Sequence, residues 1–131
     1  SKSKNKQPLN TISPQAIFDA REEIAKVKVT EDIEKYIVSL ISATRYPEKF
    51  DPELAKLIEF GASPRGTIAL DRCSRVNAWM QGRDYVSPED VHTVIKDVLR
   101  HRIAVSYKGK AEGVTPDQII EKLTETVAVV A

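Results

Sequence analysis

Cysteine, glycine and net charge are all in short supply in this sequence, and each shortage closes off a class of protein. The single cysteine, Cys73, has no His or Cys nearby, which rules out an internal disulfide framework and a zinc site. His92 and His101 stand nine residues apart, which does not give an adjacent-turn metal pair, and they read as surface or interface residues. Of the 5 glycines, none belongs to a Gly-rich loop ending in Lys-Ser or Lys-Thr. The chain therefore cannot by itself hold a nucleotide with magnesium as P-loop enzymes do. Against 20 Lys and Arg stand 19 Asp and Glu, and the net charge of +1 sets up no field that would draw the chain to DNA or anionic membranes. No apolar run approaches the roughly 20 residues of a membrane span, and the Lys-rich start lacks the apolar region of a signal peptide. A cytoplasmic setting is the expectation. No nucleophile stands out beside a base, and the pairs Glu22-Glu23 and Glu31-Asp32 read as solvated helix surface.

What is present is enough length for one core and a repeated device for starting helices. At 131 residues the chain suits one domain that needs no disulfides. Residues 1–10 are polar and basic with nothing to pack before Leu9, and read as a flexible linker or an expression remnant ahead of a folded domain over 11–131. Ser13-Pro14, Asp51-Pro52, Ser63-Pro64, Ser87-Pro88 and Thr115-Pro116 each join a capping side chain to a proline suited to the first helical turn. Ser87 with Asp90, and Thr115 with Gln118, add the reciprocal bond of a capping box or a close variant, and Thr30 marks a start without proline. Apolar residues at helical spacing follow: Ile17, Ala20, Ile24 and Val27, then Ile33, Tyr36, Ile37, Leu40 and Ile41. The helix opened by Ser63 is the most apolar, with Ile68, Leu70, Cys73, Val76, Trp79 and Met80 around much of its circumference. It is expected to be the central and most buried helix, ending near Gly82, with Cys73, Trp79 and Met80 as packing residues. The fold expected is all-α, a bundle of about five to six helices, with a short extended arm or hairpin near 103–114 where Ile103, Val105 and Tyr107 alternate.

The stretch from Glu59 to Gly66 is where the chain points to a function. Gly61 reads as the end of a preceding helix in the left-handed conformation, Ser63 as an N-cap and Pro64 as the first helical residue. Arg65 then falls in the first turn, where the helix dipole disfavours a cation. A phosphate would remove that conflict, because helix N-termini bind anions and a guanidinium offers bidentate donors to the same oxygens. Local physics leaves equally open that Arg65 is a surface residue or the partner of a carboxylate.

The runs Gly61-Ala62-Ser63-Pro64-Arg65, Gly82-Arg83-Asp84-Tyr85-Val86-Ser87-Pro88-Glu89-Asp90-Val91 and Val98-Leu99-Arg100-His101-Arg102-Ile103 resemble, in that order, the C-terminal lid of MoxR-family AAA+ ATPases. Tyr36-Ile37-Val38, Ala43-Thr44-Arg45 and Ala111-Glu112-Gly113-Val114-Thr115-Pro116 extend the likeness over about residues 10–127. The resemblance implies an all-helical lid joined to a P-loop domain that binds ATP and Mg2+, with Arg65 as the sensor 2 arginine reaching the nucleotide phosphates. It implies that Ala62, Ser63 and Pro64 position the helix and that Gly66, where the family often has Ala, lets nucleotide or backbone come close. It also implies ring neighbours, von Willebrand factor A-type partner proteins and chaperone-like remodelling, with the chain inactive alone. Thr44 and Arg45 are candidates to touch nucleotide or the P-loop domain, with Arg45 capping its own helix as the alternative. Arg83 and Arg100 to Arg102 are candidates for a subunit interface or a solvated face. Two other readings remain: a nucleic-acid module with the Ser87 helix in a groove and 103–114 as a wing, and a plain protein-interaction bundle.

Overall fold

The computed structural model describes residues 11–129, so the linker expected over 1–10 lies outside the described residues. Five of the six expected helix starts are capped as the sequence predicts. Helix α1 (Pro14–Ala25) opens on Ser13, whose hydroxyl accepts from the Ala16 amide, and α2 (Glu31–Arg45) opens on Thr30, which accepts from Ile33. A single 3-10 turn (Pro47–Lys49) leads to α3 (Pro52–Leu57), capped by Asp51. Strand β1 (Ile58–Phe60) follows, then α4 (Arg65–Met80), α5 (Pro88–Leu99), β2 (Ala104–Val105), α6 (Tyr107–Ala111) and α7 (Pro116–Thr126). The boxes Ser87/Asp90 and Thr115/Gln118 are both closed.

The extended element expected after Ile103 is present as β2, and its antiparallel partner is β1, with Ile58 opposite Val105 and Phe60 opposite Ala104. Tyr107 to Ala111 then coil into a helix because the Ser106 hydroxyl accepts from the Gly109 amide at 3.0 Å. The same Ser106 hydroxyl donates to the Lys56 carbonyl at 2.6 Å, which fastens α6 to the end of α3.

Seven α-helices among the described residues surround a core in which Tyr36, Leu40, Leu54, Leu70, Leu99 and Ile120 are fully enclosed. The centre of that core is α2, and here the sequence expectation needs correction. Helix α2 buries Ile33, Tyr36, Ile37, Leu40, Ile41, Ala43 and Thr44. Helix α4 buries only Gly66, Leu70, Ser74 and Ala78, a stripe one turn wide. Gly66, Ser74 and Ala78 are small, so α4 can lie close against its neighbours, α5 above all, and little of its circumference is needed for packing. Met80 is left 70% exposed and Ile68 55%, and Cys73 is exposed as well. Cys73 and Met80 are therefore not core residues, whereas Trp79 is partly buried and donates from its indole to Glu23 of α1 at 2.8 Å. Helix α4 does end where expected: Gly82 has φ of 79°, and the Arg83 amide reaches back to the Ala78 carbonyl at 2.9 Å.

Candidate functional site

The loop that delivers Arg65 is bolted to the end of α2. Thr44, in the last turn of α2, is fully buried, and its hydroxyl donates to the Ile41 carbonyl at 2.7 Å while accepting from the Ala62 amide at 2.9 Å. Gly61 lies so close to this helix end that a Cβ there would overlap the Thr44 carbonyl and come within 2.6 Å of the Arg45 nitrogen. The absence of a side chain at Gly61 is thus required by backbone contact. Its φ is not positive and no helix ends on it, which corrects the left-handed cap expected from the sequence.

Ser63 is likewise not the cap. Helix α4 begins at Arg65, after Pro64 at φ −54° and ψ −23°, and no side chain caps it. Because Pro64 already has helical angles, the Ser63 carbonyl accepts from the Gly66 amide at 2.8 Å, a single tight turn that leaves the serine hydroxyl outside. Thr44 does the anchoring that Ser63 was expected to do. Thr44→Val, which keeps the shape and deletes both bonds, is expected to destabilise the chain by about 1–3 kcal/mol, since the buried Ala62 amide then has no acceptor. A urea midpoint equal to that of the wild type would contradict this.

The residues singled out in the sequence divide into two groups. Ala62 and Gly66 are buried, and a Cβ on Gly66 would stand 3.2 Å from both Ala62 and Ile41, so both serve to seat the first turn of α4 on α2. Ser63, Pro64 and Arg65 are exposed. The Arg65 side chain makes no hydrogen bond or ion pair within the described residues, so its five donors are left to solvent in the first turn of α4. Beside it a cavity of about 300 Å³ is lined by Val38, Ile41, Ser42, Arg45, Tyr46, Pro64 and Thr67. Arg45 stacks over the Tyr46 ring at 5.6 Å to the centroid, with Lys49 on the same ring at 5.1 Å.

Arg83 and Arg100 are occupied within the domain. Arg83 clamps the buried Asp90 with two bonds of 2.6 and 2.7 Å, and Arg100 grips Asp117 at 2.7 and 3.1 Å while touching Asp97 at 3.2 Å. Burial alone would raise the Asp90 pKa. The Arg83 fork, the Ser87 amide and hydroxyl and the Asn77 amide group outweigh it and hold the carboxyl far below the usual range. Arg100 likewise lowers the pKa of Asp117. Sequence reasoning found Asp90 as a capping residue and named Arg83 as a candidate for a subunit interface or a solvated face, but did not foresee that Arg83 would pair with Asp90 across the turn between α4 and α5. His92 is exposed, but its Nε2 lies 2.6 Å from the hydroxyl of buried Tyr36, whose pKa burial raises. Among the described residues no group of three His, Cys, Asp or Glu could hold a metal ion, and no helix is long and apolar enough to cross a membrane.

The family model for the AAA lid domain matches residues 54–123 of this helical domain. The chain belongs to that family. Its relatives narrow the assignment to the lids of MoxR-type AAA+ ATPases. It is 40% identical over 94 residues to chaperone MoxR1 of Mycobacterium tuberculosis, covering 71% of this chain and 25% of the relative. To protein MoxR of Methylorubrum extorquens it is 38% identical over 102 residues, covering 72% and 29%. A crystal structure of a Cytophaga hutchinsonii protein superposes with a TM-score of 0.87 at 40% identity, covering 92% of this chain and 37% of that one. The chain thus spans between a quarter and somewhat over a third of these proteins.

Proposed function

We propose that this lid closes over ATP held with Mg2+ on a P-loop domain of the same chain, and that Arg65 is the sensor 2 arginine that grips the terminal phosphate. The carrying observation is an exposed guanidinium without a partner among the described residues, in the first turn of a helix whose approach loop is fixed to α2 through Thr44 and Gly61. Such a group suits a terminal phosphate: a planar, permanently charged fork in a fixed place stabilises the charge there and senses its loss. The lid has no Gly-rich loop of its own, so magnesium and most phosphate contacts fall to the P-loop domain. Pro64 lines the cavity beside Arg65 and Ser63 is exposed next to it, while Ala62 and Gly66 hold the turn in place from beneath. Rotation of the rigid lid as the terminal phosphate is lost passes hydrolysis to ring neighbours, and from there to the chaperone-like remodelling of partner proteins, among them proteins with von Willebrand factor A-type domains. We place this work in the cytoplasm and expect the lid alone to be inactive.

The test is Arg65→Ala in the full-length ATPase. Turnover is expected to fall on the order of a hundredfold to a thousandfold, the scale for removing one preorganised charge-stabilising donor, while the melting temperature of this chain stays within a degree or two because the Arg65 side chain is exposed and forms no hydrogen bond or ion pair among the described residues. Unchanged turnover would overturn the assignment.

A further inference from the structure

A second arginine reaches the same end of the domain without an acid to hold it. Arg75, Arg83 and Arg100 each engage an aspartate at 2.6–2.7 Å. Arg102 has no ion pair among the described residues. Its side chain turns back so that Nη1 donates to the Val98 carbonyl in the last turn of α5 at 2.8 Å. Its Cδ lies 3.9 Å from the point where a Cβ on Gly66 would sit, so the Arg102 stem crosses the first turn of α4 one residue from Arg65. The bond to Val98 uses one of five N–H donors, and the residue is otherwise exposed. Arg65 and Arg102 thus both border the first turn of α4, its positive end, and neither has an ion pair among the described residues, an arrangement that a multiply charged oxyanion suits.

We propose that Arg102 is a second guanidinium contact for the terminal phosphate, a proposal that rests on the reading of Arg65 given above. Because Arg102 stays bonded to Val98, it ties the end of α5 to the anion that Arg65 ties to α4. Loss of that phosphate then releases both helices together, which suits a lid that must move as one body.

The experiment compares ATP and ADP affinities in the full-length ATPase by titration calorimetry. Arg102→Gln keeps a donor for Val98 but removes the charge. It is expected to weaken ATP about tenfold, the loss for one charge-assisted hydrogen bond, and ADP by less than about twofold. Arg102→Lys should recover part of the preference for ATP, since it keeps the charge without the fork. Equal weakening of both nucleotides together with a lower melting temperature would mark Arg102 as a packing residue and overturn the proposal. An unchanged ATP-to-ADP ratio in Arg102→Gln beside a reduced ratio in Arg65→Ala overturns this proposal alone, whereas unchanged ratios in both variants overturn the reading of Arg65 as well.

Discussion

Gly61→Ala is expected to destabilise the chain by about 3 kcal/mol or more, because one added methyl group must displace backbone atoms on both sides of the Thr44–Arg45 peptide. A flexible neighbour could move aside cheaply, but the end of α2 cannot, since Ala43 and Thr44 are both fully buried. Gly82 is the natural comparison. It has φ of 79° and nothing within 4 Å of where a methyl group would sit, so Gly82→Ala carries only the backbone penalty of about 1 kcal/mol. The effect at Gly61 also reaches function, because relief of the clash has to push the 61–64 loop, and with it Arg65, away from α2. Urea unfolding of both variants gives the stability ranking, and ATP turnover of Gly61→Ala in the full-length protein gives the functional half. A Gly61→Ala chain as stable as the wild type would mean that the loop is not anchored as described.

The second large effect is expected at Asp90. This buried carboxylate accepts from both Arg83 amino groups, from Asn77 and from the amide and hydroxyl of Ser87, so it joins α4, the Gly82 turn and the start of α5. Asp90→Ala strands the Asn77 and Ser87 donors and costs about 3 kcal/mol, toward the lower end for a broken buried pair because Arg83 stays partly in water. The pH dependence has a definite sign. The folded pKa of Asp90 lies below the unfolded value of about 3.9. Its contribution is therefore complete above that unfolded value and drains away as pH falls through the window beneath it. Asp90→Asn should accordingly be less stable than wild type at pH 7, with the difference narrowing below about pH 4. Parallel stability curves from pH 7 to pH 2 would rule out this role.

Local chemistry made most of the helix starts legible. Ser13, Thr30, Asp51, Ser87 and Thr115 cap their helices with side chains acting within three residues of themselves, and such bonds are set by the sequence nearby. Ser63 looked the same and behaved differently because Ala62 is bonded to Thr44, 18 residues upstream, and enters α4 on a path that no local rule contains. Periodicity found the apolar residues of α4 but not their exposure, since spacing reports which residues are apolar and not whether a neighbour covers them. Helix α6 was missed because its 5 residues are too few to show a helical period and because its fixation to Lys56 spans 50 residues. Arg65 was legible as a cation in an unfavourable first turn, and the resemblance carried by residues 61–65, 82–91 and 98–103 named the family that the lid-domain match bears out. The division of labour between Arg65 and the arginines paired with Asp90 and Asp117 was not legible, because ion pairs between separate elements depend on the packed geometry.

The most direct measurement is the lid position itself, followed by energy transfer between one dye on the P-loop domain and one on the exposed face of α4 in the full-length protein. With a non-hydrolysable ATP analogue the wild-type distance should shorten relative to ADP, and in Arg65→Ala the two nucleotides should give the same open distance. If the Arg65→Ala lid closes on the analogue as the wild type does, the guanidinium is not what grips the phosphate and the account fails.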